Sequence, residues 1–211
     1  MAITISGTTG VAGVDGSASA PSVVGTDSNS GVYFGADTIK FSTGGTERMS
    51  ITNSGVAGAG LFTSYAVIVD QKSQNTEAGT FTQDAWQTRD LNTEGSDPDG
   101  IVSISSNKFT LAAGNYLIIW SAPCYKVDKN QTRLYDVTNT AAITPMGSVE
   151  HANTSVAIQV RSTGSARVSP SGSTEYRIEH KCAATRSGNG FGFAANLAAE
   201  IFTIVEIYKE A

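Results

Sequence analysis

Apolar and polar residues alternate over short stretches along most of this chain, and no stretch sustains the 3.6-residue apolar spacing of an amphipathic helix. The clearest case is EYRIEHKC. Tyr176, Ile178, His180 and Cys182 fall on one face, and Glu175, Arg177, Glu179 and Lys181 on the other. That pattern predicts a half-buried antiparallel strand. Similar runs rich in β-branched or aromatic residues are YAVIVDQ, TFTQDAWQTRDL, GIVSISSNKFTL, NYLIIWSAPCY, TRLYDVT, SVAIQVRS, ARVSPS and EIFTIVEIYK. Turn residues punctuate them at Glu94–Gly100, Ala113–Asn115, Thr163–Ser165, Pro170–Gly172 and Ser187–Gly190. Strands at this spacing predict an all-β fold, an antiparallel sandwich or jelly roll.

The last run differs from the others. Phe202, Ile204 and Tyr208 share one face while Ile201, Val205 and Ile207 share the other. One apolar face packs the sandwich core. The second needs either a neighbouring subunit or a central position within the same chain.

The N-terminal part has another texture. Its first sixty residues hold 29 Gly, Ser or Thr and only six charged side chains. Short β-like pieces stand at Val32–Phe34, Ile39–Ser42 and Arg48–Thr52, separated by Gly35-Ala36-Asp37, Gly44-Gly45 and Asn53-Ser54-Gly55. Each piece has too few apolar residues to bury a core alone, and small modules of this kind are commonly stabilised by oligomerisation. Gly7, Gly10, Gly13 and Gly16 recur at a spacing of three, which suits an extended Gly-rich leader or a short collagen-like start. The flexible GVAGAG at Gly55–Gly60 sets the expected boundary: residues 1–60 as an anchor and thin β-rich stem, 61–211 as a C-terminal jelly-roll knob.

Charge and cysteine content narrow the function classes. The net charge is -5 with no basic run, so neither nucleic acid nor an anionic membrane has an electrostatic drive to bind. The apolar windows Leu117–Trp120 and Ile201–Val205 are too short to span a bilayer. The start MAITISGTTG lacks the pattern of a secretory signal, so synthesis in a cytoplasm is expected. Cys124 and Cys182 lie far apart, leaving two buried inert thiols or one long-range disulfide.

Candidate chemistry is sparse. Asp84 with Asp90, or Glu94, Asp97 and Asp99, could pair as glycan-cleaving carboxylates. The second group could also offer oxygens to calcium, but its Pro/Gly turn explains the acids by turn chemistry alone. His151 falls in an expected loop and His180 at an inward strand position, and no Gly-x-Ser-x-Gly elbow exists. No catalytic, metal or cofactor residues are therefore assigned. Trp86, Tyr125, Phe191 and Phe193 are aromatics near loops, and the turns at Asp97–Gly100, Ser148–Ser155 and Ser187–Asn189 are candidate contact surfaces.

The segment Gly16–Gly55 resembles one common in tail-fibre and related structural proteins of tailed bacteriophages. The resemblance rests on Ala20-Pro21-Ser22, Asn29–Tyr33, Gly35-Ala36-Asp37 and Gly45-Thr46-Glu47-Arg48. GIVSISSNKFTLAAGNYLIIWSAPCYKV, QTRLYDVT, EHKCAATRSGNGFGFAAN and EIYKE are similar to the distal domains of such fibres. Those domains are trimeric jelly rolls shaped like tumour necrosis factor and complement heads. The resemblance implies a non-enzymatic homotrimeric virion fibre or spike. Its N-terminal segment would dock on another virion protein, and its knob would bind a host-surface glycan or protein. A capsid decoration or head fibre is an alternative within the class. A secreted lectin or cytokine-like module is an alternative outside it.

Overall fold

The computed structural model describes residues 4–6, 10–58 and 62–210. All regular elements among them are strands. The chain divides into two compact units, Met1–Leu61 and Phe62–Ala211.

In the first unit the strands are β1 (Thr4–Ser6), β2 (Gly10–Ala12), β3 (Gly16–Ser17), β4 (Ala20–Pro21), β5 (Val23–Val24), β6 (Gly31–Gly35), β7 (Thr38–Thr43), β8 (Thr46–Thr52) and β9 (Gly55–Ala57). β1 pairs with β2 in antiparallel register, so Gly10 and its neighbours form neither an extended leader nor a triple helix. Gly7 lies outside the described residues. From β5 to β9 the chain is an antiparallel meander whose strands pair in sequence order. Residues 25–30 join β5 to β6, and two-residue turns make the other three hairpins. Gly44 and Gly45 both have positive φ, at 58° and 76°, as the primed turns that match strand twist require. Asp37 adopts φ 55° in the preceding turn, a region that Asp tolerates better than most residues.

Register puts the apolar side chains of this meander on one face. Phe34 pairs with Ile39, Ile39 with Ile51, and Ile51 with Val56. The opposite face carries Tyr33, which donates its hydroxyl to Glu47 at 2.6 Å, and Lys40, whose Nζ lies 3.2 Å from the same carboxylate.

The second unit comprises β10 (Phe62–Lys72), β11 (Gln87–Thr88), β12 (Thr93–Ser96), β13 (Val102–Ser105), β14 (Lys108–Leu111), β15 (Tyr116–Tyr125), β16 (Asp128–Asp136), β17 (Ala141–Ala142), β18 (Val149–Ala152), β19 (Gln159–Val168), β20 (Thr174–Cys182) and β21 (Glu200–Glu210). One sheet has the order β12-β10-β21-β15-β19. The other has β13-β14-β20-β16-β17, with β11 also against β20 and β18 against β16. Successive long strands cross between the two sheets, and the first, β10, returns to lie beside the last, β21. This is an antiparallel jelly roll. Its core holds Ile68, Leu91, Phe109, Leu111, Tyr116, Ile118, Trp120, Leu134, Ile178, Val205 and Ile207, all fully buried between the sheets.

Several strand expectations need correction. TFTQDAWQTRDL is mostly irregular and contributes only the short β11. GIVSISSNKFTL is a hairpin rather than one strand, because Ser106 and Asn107 turn the chain at φ 51° and 62°. The segment Ser148–Ser155 includes strand β18. Thr163-Gly164-Ser165 is no turn but the middle of β19. Gly164 lies opposite Trp120, and a Cβ there would sit 2.2 Å from the indole Cζ2. The glycine makes room for the ring and does not break the strand.

β21 is a central strand. Val205 and Ile207 point into the core, whereas Ile204 and Tyr208 lie half-buried on the sheet's other face. Tyr208 stands there between Tyr65 and Leu117, and Glu206 between Val67 and Ile119. No third layer of its own unit covers this face among the described residues.

Candidate functional site

The outward face of the second sheet carries a shallow groove enclosing about 240 Å³. Its walls come from three strands and the segment ahead of β11, all distant in sequence. Trp86 immediately precedes β11, whose Gln87 pairs with His180 of β20. Lys181, next along β20, pairs with Gln131 of β16, and Gln131 pairs with Val149 of β18. Alternation turns these side chains outward and leaves His180, Cys182, Asn130 and Thr132 buried. Asp84, Lys129 and Ala183 also border the groove, and Asn130 and Cys182 reach it from below. Neither Lys129 nor Lys181 has an ion-pair partner among the described residues.

Beside the groove runs a stack of cations and rings. The Arg133 guanidinium lies 4.2 Å from the Trp86 ring centre and 5.0 Å from that of Tyr135, and Arg177 lies 4.9 Å from Tyr135 on its own side. Both arginines converge on Glu179, with Arg133 Nε 2.6 Å from Oε2 and Arg177 Nε 2.8 Å from Oε1. Glu179 is thereby buried on the face that alternation marks as polar. Two guanidiniums satisfy its oxygens, and the rings shield it from water. Arg133 lies over the Trp86 ring and is not among the groove walls, whereas Trp86 is. The sheet and the Glu179 clamp hold the platform in a fixed orientation.

The residues singled out from sequence are spread over the knob. Asp84 borders the groove, whereas Asp90 accepts from Lys72 at 2.6 Å and from Asn107 at 3.0 Å, so the two do not share partners. Asp97 uses both carboxylate oxygens on the backbone amides of Ile101 and Val102, at 2.9 and 3.0 Å, while Glu94 and Asp99 are exposed. That is turn chemistry. His151 sits on β18 with Nε2 2.9 Å from Asp128. His180 is fully buried, its Nε2 2.9 Å from Asn130 Oδ1 and its ring against Phe81. Burial, reinforced by the positive charge of Arg89, pushes the imidazole pKa well below its usual 6.5.

Cys124 and Cys182 are separate, buried thiols, pushed up by burial to about 12 and about 11. Such groups are poor nucleophiles at neutral pH. Phe191 stacks on Phe81 and receives the buried Arg89 at 4.3 Å. Tyr125 is buried against the exposed Phe193, ring centres 5.1 Å apart. Of the four loop aromatics, Trp86 alone lines the groove. Val149 falls within the candidate surface Ser148–Ser155, whereas Lys129, Gln131 and Lys181 escaped sequence reading because only strand register brings them to it.

No family model and no curated protein matches the chain. Solved structures similar to it include the globular domain of zebrafish complement 1qA protein, at 13% identity and a TM-score of 0.43, covering 69% of this chain and 95% of that one. Murine APRIL is similar at 8% identity and a TM-score of 0.45, covering 69% and 98% respectively. The vertex protein P5 of PRD1 is similar at 14% identity and a TM-score of 0.44, covering 72% and 100%.

Proposed function

We propose that this chain is a non-enzymatic homotrimeric fibre or spike protein of a tailed-phage virion, its knob attaching to the host surface. The observation that carries self-association is the apolar row across the stem meander. Phe34, Ile39, Ile51 and Val56 are 39%, 42%, 39% and 64% exposed, side by side across four strands. Covering a large apolar side chain completely stabilises by roughly 1.5–3 kcal/mol, so covering what remains of each contributes about 1 kcal/mol per residue. A second copy of the same face supplies that cover without any other partner. Tyr65, Leu117, Ile119, Ile204 and Tyr208 offer the knob a comparable sheet face.

The number three and the virion setting rest on the sequence resemblance of Gly16–Gly55 and the knob segments to phage fibres. Docking of the N-terminal segment on another virion protein belongs to the same reading. The non-enzymatic reading is supported by Asp97, Asp90 and His180, which are held in a turn, an ion pair and the core. Attachment through three copies would act by avidity, raising overall binding by about 10² or more over a single site.

Light scattering on a sizing column tests the assembly, with three chain masses expected. Competition tests the role: the purified full chain is expected to block adsorption of the parent virion to its host. A stable single-chain mass would overturn the shared stem core. Undiminished adsorption at saturating protein would overturn attachment.

A further inference from the structure

The groove has the makings of a site for a sugar ring that carries a negative charge. A flat indole offers a surface on which the C–H face of a pyranose packs, and Trp86, with Arg133 over its ring, lines the groove. Two cations without ion-pair partners, Lys181 and Lys129, stand in the same cleft. The chain as a whole carries -5, whereas two lysines against Asp84 leave the groove lining with a net positive charge. Asp84 at the rim can accept from hydroxyls, and Val149 closes the far end with an apolar wall.

The volume also matters. At about 240 Å³ the groove falls below the ~300 Å³ where pockets for drug-sized ligands begin, and it opens along the sheet surface. It suits one residue of a longer polymer better than an enclosed small molecule. The Glu179 clamp keeps Arg133 against the indole, so the platform is ordered before ligand arrives and loses little entropy on binding.

We infer that this groove binds an acidic saccharide, the ring stacked on Trp86 and its carboxylate or phosphate held by Lys181 and Lys129. The inference rests on the attachment reading and names the chemistry that attachment would use. Carboxylate and phosphate present the same oxygen anion to an ammonium, so the two sources differ in polymer and not in site.

Calorimetric titration of the full-length protein tests this with three probes of similar length: an oligogalacturonate, a glycosylated glycerol-phosphate oligomer and a neutral galacto-oligosaccharide. One of the two acidic probes is expected to bind at least tenfold tighter than the neutral one and to weaken as salt rises. Which of them binds identifies the source. Trp86→Ala and Lys181→Ala are each expected to weaken that binding at least tenfold while the solution mass stays unchanged and, for Lys181→Ala, the melting temperature does too. Equal affinity for the neutral probe, binding that neither substitution alters, or no binding of any probe would each overturn the inference.

The two readings fail separately. If Trp86→Ala protein still blocks virion adsorption as well as the parent protein, attachment stands and this groove is not its site. If the parent protein binds the acidic probe but does not block adsorption, the groove stands and the attachment role falls.

Discussion

Gly164→Ala is a sharp test of how the knob is packed. Gly164 sits mid-strand in β19 opposite Trp120, and the added Cβ would meet the indole Cζ2, Cε2 and Cη2 at 2.2, 2.5 and 2.8 Å. Ordinary contact begins near 3.4 Å, so the ring must retreat by about 1 Å. β15 and β19 are bonded along their length, which leaves the backbone little room to give. The ring is also tethered, since its Nε1 donates to Thr132 Oγ1 at 2.8 Å, and that hydroxyl lies 2.8 Å from Ser162 Oγ. Overpacking costs roughly 1–3 kcal/mol, and a buried donor left without its acceptor costs about 1–3 kcal/mol more.

The expected loss is therefore about 2–6 kcal/mol. At ~2–4 °C per kcal/mol for a unit of this size, the melting temperature should fall by about 10 °C. Thermal unfolding of the full chain, followed by circular dichroism, measures it. Tryptophan fluorescence should report a changed Trp120 environment in the folded state. Gly172→Ala is the control, because nothing lies within 4 Å of its Cβ position. A Gly164→Ala protein that melts within 2 °C of the parent, with unchanged fluorescence, would refute the packing argument.

Other predictions follow from charge and from the uncovered faces. His180 is held below its usual 6.5 by burial and then by Arg89. The unfolded chain thus takes up a proton near 6.5 that the folded chain refuses. Stability should be flat above that pH and fall by up to about 1.4 kcal/mol per unit below it, and denaturant midpoints measured with and without His180→Gln check the slope. Glu179→Gln should cost about 2 kcal/mol in the same assay. That is below the ~3–5 kcal/mol for breaking a fully buried pair, since the Arg133 and Arg177 side chains are 17% and 31% exposed. Ile39→Asp with Ile51→Asp should weaken self-association, the mass falling toward one chain at a higher protein concentration than the parent's in a light-scattering dilution series, while the far-ultraviolet spectrum of the knob persists.

Much of the fold was legible because strand alternation is a local property. The inward Tyr176, Ile178, His180 and Cys182 of β20, the two-faced β21 and the turns of the stem meander could all be read from consecutive side chains. Composition was equally direct about the stem. A segment so rich in Gly, Ser and Thr can build a sheet but cannot bury one, and its apolar row stays exposed. Local reading failed where a residue answers to a distant neighbour. Gly164 looked like a turn because its reason, the Trp120 ring, lies on another strand. Glu179 looked solvent-facing because the arginines and rings that bury it are chosen by register.

The candidate site belongs mostly to that second category. Trp86 could be singled out as a loop aromatic and Val149 fell within a candidate loop, but only the pairing of β11, β20, β16 and β18 sets them beside Lys129, Gln131 and Lys181. The sequence by itself determined the strands, the turns and the apolar faces, because steric preference and side-chain alternation act between neighbours. The tertiary structure decided which faces are covered and which side chains share a groove, because hydrogen-bonded register is set by the whole sheet and not by any one strand.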